Sequence, residues 1–578
     1  MVCNESAQKN YEKWLAYEKL DADTRRELEN IRNNPAEIES RFSQGLSFGT
    51  AGLRGIMAAG LARMNVYTVM QATQGLCELI KKENACERGV AIAYDSRKNS
   101  RLYSERAASV LAANGIKVYL FDDLRPTPEL SFALRYLGCI AGINITASHN
   151  PKEYNGYKAY WEDGAQLPPE HADTVSREIA AVDLFDGVRT CDLEEAKRNG
   201  SVILIGEEID KAFLDKVFAE RMSPEGALHA AKEMSIVYTP LHGAGWKLVP
   251  EILRRLGFEK LSVVPSQATP DGDFPTVKKP NPELADVFLP GIALAEETGA
   301  DLVIATDPDC DRVGVMTRNR DGKFVRITGN GMGALLLDYI VAVLREKGGV
   351  PADAYAVKTI VSTELFTRIC EANHIEMYNV LTGFKFIGEV IKKHEEAGKG
   401  TYLLGFEESY GYLKGTYARD KDAVCASMLI AEMAAYYRTK GMTLADALDR
   451  LLARYGQYGE LTENLDFPGL DGAKKMAGVT ASLRAEPPKE LCGSRVVGIG
   501  DYLAGYLTDL KTGKKTPTGL PASDVLRYAL ENGDVVLLRP SGTEPKIKVY
   551  FLCSAETREA LEKKLSSCPA VARQLCGL

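Results

Sequence analysis

Short apolar runs alternate with longer amphipathic stretches along most of the chain, and the alternation comes round three times. From Val90 the pattern predicts strand (Val90–Tyr94), helix (Leu102–Asn114), strand (Lys117–Phe121), helix (Pro128–Leu137) and strand (Ile140–Ile145). A second series runs from strand Ser235–Tyr238 through helix Trp246–Leu256, strand Leu261–Val264 and a helix near Ala285–Glu297 to strand Leu302–Ala305. The third comprises strand Ala356–Val361, helix Glu364–Ala372, strand Glu376–Val380, helix Phe386–His394 and strand Thr401–Leu404. Strands alternating with helices of this length imply βαβ units and largely parallel sheets, in which ligands bind beyond the carboxyl ends of the strands. Each series ends in an unusual polar loop: Thr146–Lys158, Thr306–Arg312 and Gly405–Tyr412.

The last region breaks the pattern. Strand Val535–Leu538 leads through Arg539-Pro-Ser-Gly-Thr-Glu-Pro-Lys546 into strand Ile547–Phe551, and Lys511–Thr518 has the composition of an exposed loop. The expected fold class is α/β: three consecutive βαβ-type domains with mixed sheets, then a C-terminal α+β domain. The boundaries read as 1–208, which includes a charged helical extension (Tyr11–Leu20, Thr24–Asn33), then 209–322, 323–456 and 457–578.

A chain of 578 residues is too long for one core and suits about four domains. A net charge of −8 argues against nucleic acid or an anionic membrane as the main partner, so positive charge for an anionic substrate must be local. The start lacks the basic and apolar regions of a secretory signal, and no apolar run approaches a membrane span. Twelve cysteines without a C-x-x-C pair suit reduced thiols, which makes a cytoplasmic setting the expectation. Oligomeric state is not legible.

The polar loops carry the chemistry. Ser148 stands between an apolar run and a turn-forming segment, a place for a nucleophile on a rigid strand; a lone S-H-N-P is otherwise an ordinary surface turn. On an extended backbone, His149 and Ser148 point to opposite faces, so Lys158 is the better group to face the hydroxyl. Asp307, Asp309 and Asp311 alternate, and an extended loop presents all three on one side, where hard oxygen ligands select Mg²⁺ or Ca²⁺. A solvated acidic turn is the bland alternative. An EF-hand is excluded, because Arg312 and Arg318 stand where it needs Gly and Glu. Arg539-Pro-Ser541-Gly542-Thr543 holds the parts of a phosphate cradle, or else of a plain hairpin turn. Glu407 and Ser409 can bond vicinal sugar hydroxyls. Gly329–Ala334 half matches a dinucleotide fingerprint and is equally explained by a helix start.

Six stretches in order, Gly49–Arg54, Thr146–Lys158, Asp307–Arg312, Thr382–Phe386, Gly405–Tyr412 and Arg539–Lys546, make the chain resemble the α-D-phosphohexomutase superfamily over nearly its whole length. Its nearest likeness is to the phosphoglucomutase/phosphopentomutase branch. The resemblance implies four domains around a central cleft, each supplying a loop. It makes Ser148 the phosphorylated nucleophile, with Asp307, Asp309, Asp311 and a phosphoserine oxygen holding Mg²⁺. Lys158 is implied as general base or acid, with Arg54, His149 and Lys385 around the reacting phosphate. Glu407 and Ser409 should grip sugar hydroxyls, with Gly383 and Arg312 among the substrate contacts. Lys421 matches a further anion contact, and Arg539, Ser541, Gly542 and Thr543 should hold the distal phosphate.

The implied reaction interconverts sugar 1- and 6-phosphates, glucose first, through a bisphosphorylated sugar such as glucose 1,6-bisphosphate. Small sugar phosphates are then the partners. Tyr410 stands where many glucose-specific members carry Phe or Ile, which leaves mannose and pentose phosphates as alternatives. A phosphatase or kinase-like phosphotransferase using the same serine, and a non-catalytic sugar-phosphate sensor, are the rivals from other classes.

Overall fold

A computed structural model describes residues 4–49, 52–467, 472–541 and 546–578. They form two compact units: Met1–Arg326 with Gly411–Lys440, and Ile327–Tyr410 with Gly441–Leu578.

The first unit holds two sheets. Strands β1 (Gly52–Ile56), β2 (Val90–Tyr94), β3 (Val118–Phe121), β4 (Ala141–Ile145), β5 (Tyr154–Trp161) and β6 (Val202–Ile205) line up in the order β1-β5-β4-β2-β3-β6. β4, β2, β3 and β6 are parallel, while β5 runs antiparallel to both β4 and β1. Every residue of β2 and β4 is buried, which is why these strands read as continuous apolar runs. β5 falls in the stretch that the sequence presented as loop. Its polar residues interrupt the apolar signal, and partners on both sides convert it into a central strand with Tyr157, Tyr160 and Trp161 buried.

The second sheet joins β7 (Ser235–Thr239), β8 (Lys260–Val263), β9 (Leu302–Thr306), β10 (Val313–Arg318) and β11 (Phe324–Ile327) in the order β11-β10-β9-β7-β8. β7, β8 and β9 are parallel, and β10 turns back antiparallel to β9.

Three helices open the chain, Glu5–Ala16, Ala22–Asn30 and Pro35–Phe42. The first lies N-terminal to the expected Tyr11–Leu20 because Asn4 caps it, accepting from Ser6 N. The third carries a start signal not read from the sequence: Asn34 accepts from Glu37 N, with Pro35 at the first helical position. Trp14 meets Phe42, Tyr67 and Phe185 edge to face and fixes the extension to the unit.

In the second unit β12 (Ala354–Thr359), β13 (Glu376–Val380) and β14 (Thr401–Glu407) are parallel, with β12 central. The C-terminal sheet is antiparallel and includes Gln457–Asp466, Lys546–Ala555, Val535–Pro540, Leu526–Leu530 and Ser494–Asp501 in spatial order. Part of the expected loop Lys511–Thr518 is instead an exposed strand, Lys515–Pro517, paired with Tyr506–Asp509. Gly329–Ala334 begins the helix Gly329–Glu346, capped by Thr328.

Trp14 is 1% exposed, so Trp14→Ala should cost about 3–5 kcal/mol in urea unfolding. A loss below about 1 kcal/mol, the range of a surface change, would show that the extension adds little to the unit.

Candidate active site

Ser148 lies in the connection from β4 to β5, and its backbone is not extended: φ is +51°. A non-glycine residue in this region is strained and persists only where its surroundings over-determine it. Here Ser148 N donates to Thr146 Oγ1 (2.8 Å), and Thr146 Oγ1 donates to Asp95 Oδ2 (2.6 Å). Buried Arg97 donates to the carbonyls of Ser148, Asn150, Pro151 and Tyr154, and its Nε lies 3.3 Å from Asp95. Gly156 lets β5 pass beneath this loop, since a Cβ there would lie 2.5 Å from Thr146 O. Neither Asp95 nor Arg97 was picked out from the sequence. The signal was their place just past the carboxyl end of β2.

The positive φ overturns the expectation that His149 faces away from the serine. Ser148 Oγ lies 3.1 Å from His149 Nδ1 and donates to Asp307 Oδ2 at 2.8 Å. The direction of the contact between Ser148 Oγ and His149 Nδ1 is set by the imidazole tautomer. Lys158 reaches the carboxylates instead, bonding Asp309 Oδ2 (2.7 Å) and Asp311 Oδ2 (3.5 Å). Pairing of β1 with β5 places Arg54 opposite Gly156, and Arg54 donates to Asn150 Oδ1 at 3.3 Å.

The acidic loop is a turn rather than an extended segment. Cys310 N donates to Asp307 O with Cys310 at φ +52°, and Asp307 Oδ1 accepts from the backbone N–H groups of Asp311 and Arg312. All three carboxylates are buried, with oxygens within 4.8 Å of one another. Three helix starts meet the loop's carbonyls. Ala244 N, at the head of helix Gly245–Arg255, donates to Pro308 O; Thr127 N, opening Thr127–Leu137, donates to Asp309 O; Ala423 N, opening Ala423–Arg438, donates to Cys310 O. Gly243 permits the first approach, since a Cβ there would lie 2.4 Å from Pro308 Cα.

Both oxygens of Asp307 accept hydrogen bonds, whereas Asp309 and Asp311 each have one oxygen engaged by the protein. Asp309 Oδ2 accepts from Thr127 Oγ1 (2.9 Å) as well as Lys158, and Lys421 Nζ lies 3.1 Å from Asp311 Oδ2 and 3.2 Å from Asp420 Oδ1. Asp309 Oδ1 and Asp311 Oδ1, both buried, make no hydrogen bond among the described residues, and Arg312 Nε lies 3.8 Å from the second. Two buried anionic oxygens left over beside a third carboxylate fit a bound cation. Burial and the neighbouring Asp309 and Asp311 push Asp307 well above the usual carboxylate range. Burial opposes ionisation of Asp309 too, but Lys158 overrides it and holds that group below its usual range. Burial, then Arg312 and Arg54, drive His149 well below the ordinary imidazole value, so it is neutral near pH 7. Arg312 donates to Glu283 Oε1 at 2.7 Å.

In the second unit Glu407 ends β14, buried, and its Oε1 accepts from Gly383 N at 2.8 Å. Gly383 precedes helix Phe384–Ala397, whose second residue is Lys385, with Nζ 5.3 Å from the Phe386 ring centroid. Ser409 Oγ donates to Glu408 Oε1 at 3.4 Å. Burial and then Glu407 raise the Glu408 carboxyl, while Arg539 and Lys548 are near enough to oppose the shift. Arg539 Nη1 is buried with no hydrogen-bond partner among the described residues. Ser541 N donates to Lys546 O at 2.8 Å, closing the hairpin, and Gly542 and Thr543 lie outside the described residues.

A hydroxyl on a strained turn, three buried carboxylates and two lysines on tandem α/β sheets are parts that suit metal-assisted phosphoryl transfer. Comparison with known proteins agrees. Four phosphoglucomutase/phosphomannomutase domain models match in order: α/β/α domain I at 45–185, II at 211–322, III at 328–455 and the C-terminal domain at 501–564. A phosphoglucomutase of Staphylococcus saprophyticus is 36% identical over 92% of this chain and 94% of its own. One from Staphylococcus aureus is also 36% identical, over 93% and 96%. Among solved structures, the open form of parafusin, a phosphoglucomutase from Paramecium, shares the fold with a TM-score of 0.67 at 18% identity, covering 93% of this chain and 95% of that one. A Burkholderia thailandensis phosphoglucomutase/phosphomannomutase family protein gives 0.63 at 18%, covering 92% and 97%. The chain belongs to the phosphoglucomutase/phosphomannomutase family.

Asp309→Asn removes the charge of a carboxylate whose Oδ1 is unpartnered, and should weaken Mg²⁺ binding by roughly tenfold or more in calorimetric titration. Wild-type affinity in this variant would remove the three-aspartate site.

Proposed function

We propose that the chain is a phosphohexomutase that interconverts glucose 1-phosphate and glucose 6-phosphate by carrying the phosphoryl group on Ser148. The carrying observation is the serine itself: a strained residue with Oγ between Asp307 Oδ2 and His149 Nδ1 at the edge of a three-carboxylate cluster. Family membership and relatives named phosphoglucomutase support the reaction class. The proposed domain limits stay at 208, 322 and 456, and a cytoplasmic setting fits such substrates.

In the first transfer the bond from phosphorus to Ser148 Oγ breaks as one to the sugar's free hydroxyl oxygen forms. The proton lost by that hydroxyl balances the one taken up at the serine oxygen. Glucose 1,6-bisphosphate is the intermediate and activator; turned end for end, it returns its other phosphoryl group to Oγ. Positioning and electrostatics dominate such transfers. Asp307, Asp309 and Asp311, with a phosphoserine oxygen, would hold Mg²⁺, which supplies neutralising charge at the phosphoryl group. His149, neutral and 3.1 Å from Oγ, handles the proton at the serine oxygen. Burial works against the charge on Lys158, but Asp309 and Asp311 raise its pKa above the usual amine value, so it is held as a cation beside the carboxylates. Arg54, Arg312, Lys385 and Lys421 add positive charge for phosphate. Glu407, with Gly383 and Ser409, takes the sugar hydroxyls, and Arg539 with Ser541, Gly542 and Thr543 takes the distal phosphate.

Peptide mass spectrometry should find one phosphate on Ser148, and Ser148→Ala should lose mutase turnover. Normal turnover in that variant, or net phosphate release equal to sugar conversion, would overturn the reading. Glu407→Gln should slow glucose 1-phosphate conversion, and deoxy-sugars matching wild-type rates would count against its role.

Arg539→Ala should lower kcat/KM about 10–100-fold, the loss of a charge-assisted hydrogen bond of about 1.5–3 kcal/mol. A fall in kcat as well as a rise in KM would show that this binding energy orients the sugar. An unchanged kcat/KM would remove Arg539 from the phosphate site.

A further inference from the structure

Between β8 and the short helix Asp286–Phe288, residues 264–285 form neither helix nor strand. Connections in compact domains usually run to about 4–6 residues, and one this long is usually functional. Within it Phe274 is buried, and its φ is +45°. For an aromatic residue that is a true outlier, of the kind that persists only where its surroundings over-determine it and that gathers at functional sites. Its ring meets a charge: the Arg97 guanidinium carbon lies 5.0 Å from the ring centroid. Both side chains are buried, and a cation–π contact is strongest away from water. Arg97 is the residue whose guanidinium holds the carbonyls of Ser148 and Asn150.

The residues beside Phe274 approach the same place. Gly272 lets the segment lie against the backbone of Ser96–Lys98, since a Cβ there would fall 2.5 Å from Lys98 N and 2.8 Å from Ser96 O. Asp273 pairs with Lys98 (2.7 Å) and reaches Lys152 of the serine loop (3.5 Å), exposed pairs that guide more than they hold. The other side of the segment is tied to the metal loop. Asp271 N donates to His242 O and His242 N to Gln267 O, while the His242 ring bonds Thr269 O and Thr276 Oγ1. Leu241 and His242 are themselves strained, at φ +45° and +62°. The next two residues, Gly243 and Ala244, make the contacts to Pro308. One stretch, Thr269–Phe274, therefore grips the serine loop through Arg97 and, through His242, the turn that carries Asp307. Ser148 Oγ and Asp307 Oδ2 meet between loops of two sheets that share no strand among the described residues, so loop contacts must set their alignment.

We propose that Thr269–Phe274 is a brace for the phosphoryl-transfer site, with Phe274 as a positioning residue: its ring fixes Arg97, and Arg97 fixes the angle at which Ser148 Oγ meets the metal loop. The proposal rests on Ser148 being the phosphoryl carrier. Phe274 touches no reacting group, so its effect falls on transfer rather than on sugar binding. The groups proposed to take the sugar, Glu407, Gly383 and Ser409, belong to the second unit.

The test is steady-state kinetics of the full-length enzyme with Mg²⁺, with phosphate on Ser148 counted by peptide mass spectrometry. Phe274→Leu keeps an apolar side chain but offers the guanidinium no π face, and kcat should fall about 10–100-fold, the cost of a small misplacement of reacting groups. KM for glucose 1-phosphate and calorimetric Mg²⁺ affinity should stay within about twofold of wild type, since uniform binding is untouched. Phe274→Tyr keeps the π face and should hold kcat within about threefold. Should Phe274→Leu not fold, Gly272→Ala decides: its backbone is not left-handed, and the added Cβ moves the brace off Ser96–Lys98, with the same loss of kcat expected. Wild-type kcat in Gly272→Ala and in a folded Phe274→Leu, equal losses in the Leu and Tyr variants, or a fall in Mg²⁺ affinity as large as that in kcat would overturn the brace and leave phosphorylated Ser148 in place. Wild-type turnover with no phosphate on Ser148 would overturn the carrier reading, and the brace with it.

Discussion

Burial of three carboxylates in one turn is the constraint to which the first unit is built. Removing an ion from water costs several kcal/mol even after relaxation, and Asp307, Asp309 and Asp311 are all buried. A helix start returns about 0.3–1 kcal/mol, and up to about 2 in partly buried geometry. The three that converge on Pro308, Asp309 and Cys310 therefore cannot offset the cost by themselves. Lys158 and Lys421 supply more, but Asp420 shares Lys421. Two of the carboxylate oxygens make no hydrogen bond among the described residues, and Arg312 Nε lies 3.8 Å from one of them, Asp311 Oδ1. The fit of this turn to a metal ion is thus a consequence of how the helices and strands are assembled around it.

The same economy governs the serine. Its left-handed backbone costs of order 1–3 kcal/mol, which is a tenth or more of a typical domain's stability. Asp95 and Arg97 make that conformation the one in which their buried charges pair and four loop carbonyls accept from the guanidinium. Removing either would leave the other charged and buried without its partner. The hydroxyl therefore meets Asp307 without a further ordering step, the pre-organisation that phosphoryl transfer depends on.

Strands such as β2, β4, β12 and β14 were legible because burial on both faces writes an uninterrupted apolar run. The candidate residues Ser148, Asp307, Asp309, Asp311 and Glu407 were legible because each stands at or just past the end of such a strand. Antiparallel β5 was hidden, since Asn155, Gly156 and Lys158 break the run and its neighbours come from distant segments. The facing of His149 was misread and the acidic loop was expected to be extended, for one reason, although its three carboxylates do come together. Period-two reasoning assumes extended backbone, while Ser148 and Cys310 both take positive φ, a state that no composition signal announces at a serine or cysteine. Thr127 and Asn144 were invisible as site residues because their role exists only once two loops meet: Asn144 Nδ2 donates to Thr127 Oγ1, which donates to Asp309 Oδ2.

That misreading matters for the proton. Were Ser148 extended, His149 would face away and Lys158 would be the nitrogen left to serve Oγ. Lys158 instead spends its charge on Asp309 and Asp311, an environment that keeps it protonated against the cost of burial. His149 meets the reverse conditions, with burial and two arginines all disfavouring a second proton. One pocket thus drives two basic groups apart, one fixed as a cation and one as a neutral imidazole, which is how neighbouring titratable groups acquire separate acid and base roles. The neutral nitrogen is also the one at 3.1 Å from the serine oxygen. Geometry and protonation state therefore favour the same division of labour in the proposed reaction, with charge held by Lys158 and the proton at Oγ handled by His149.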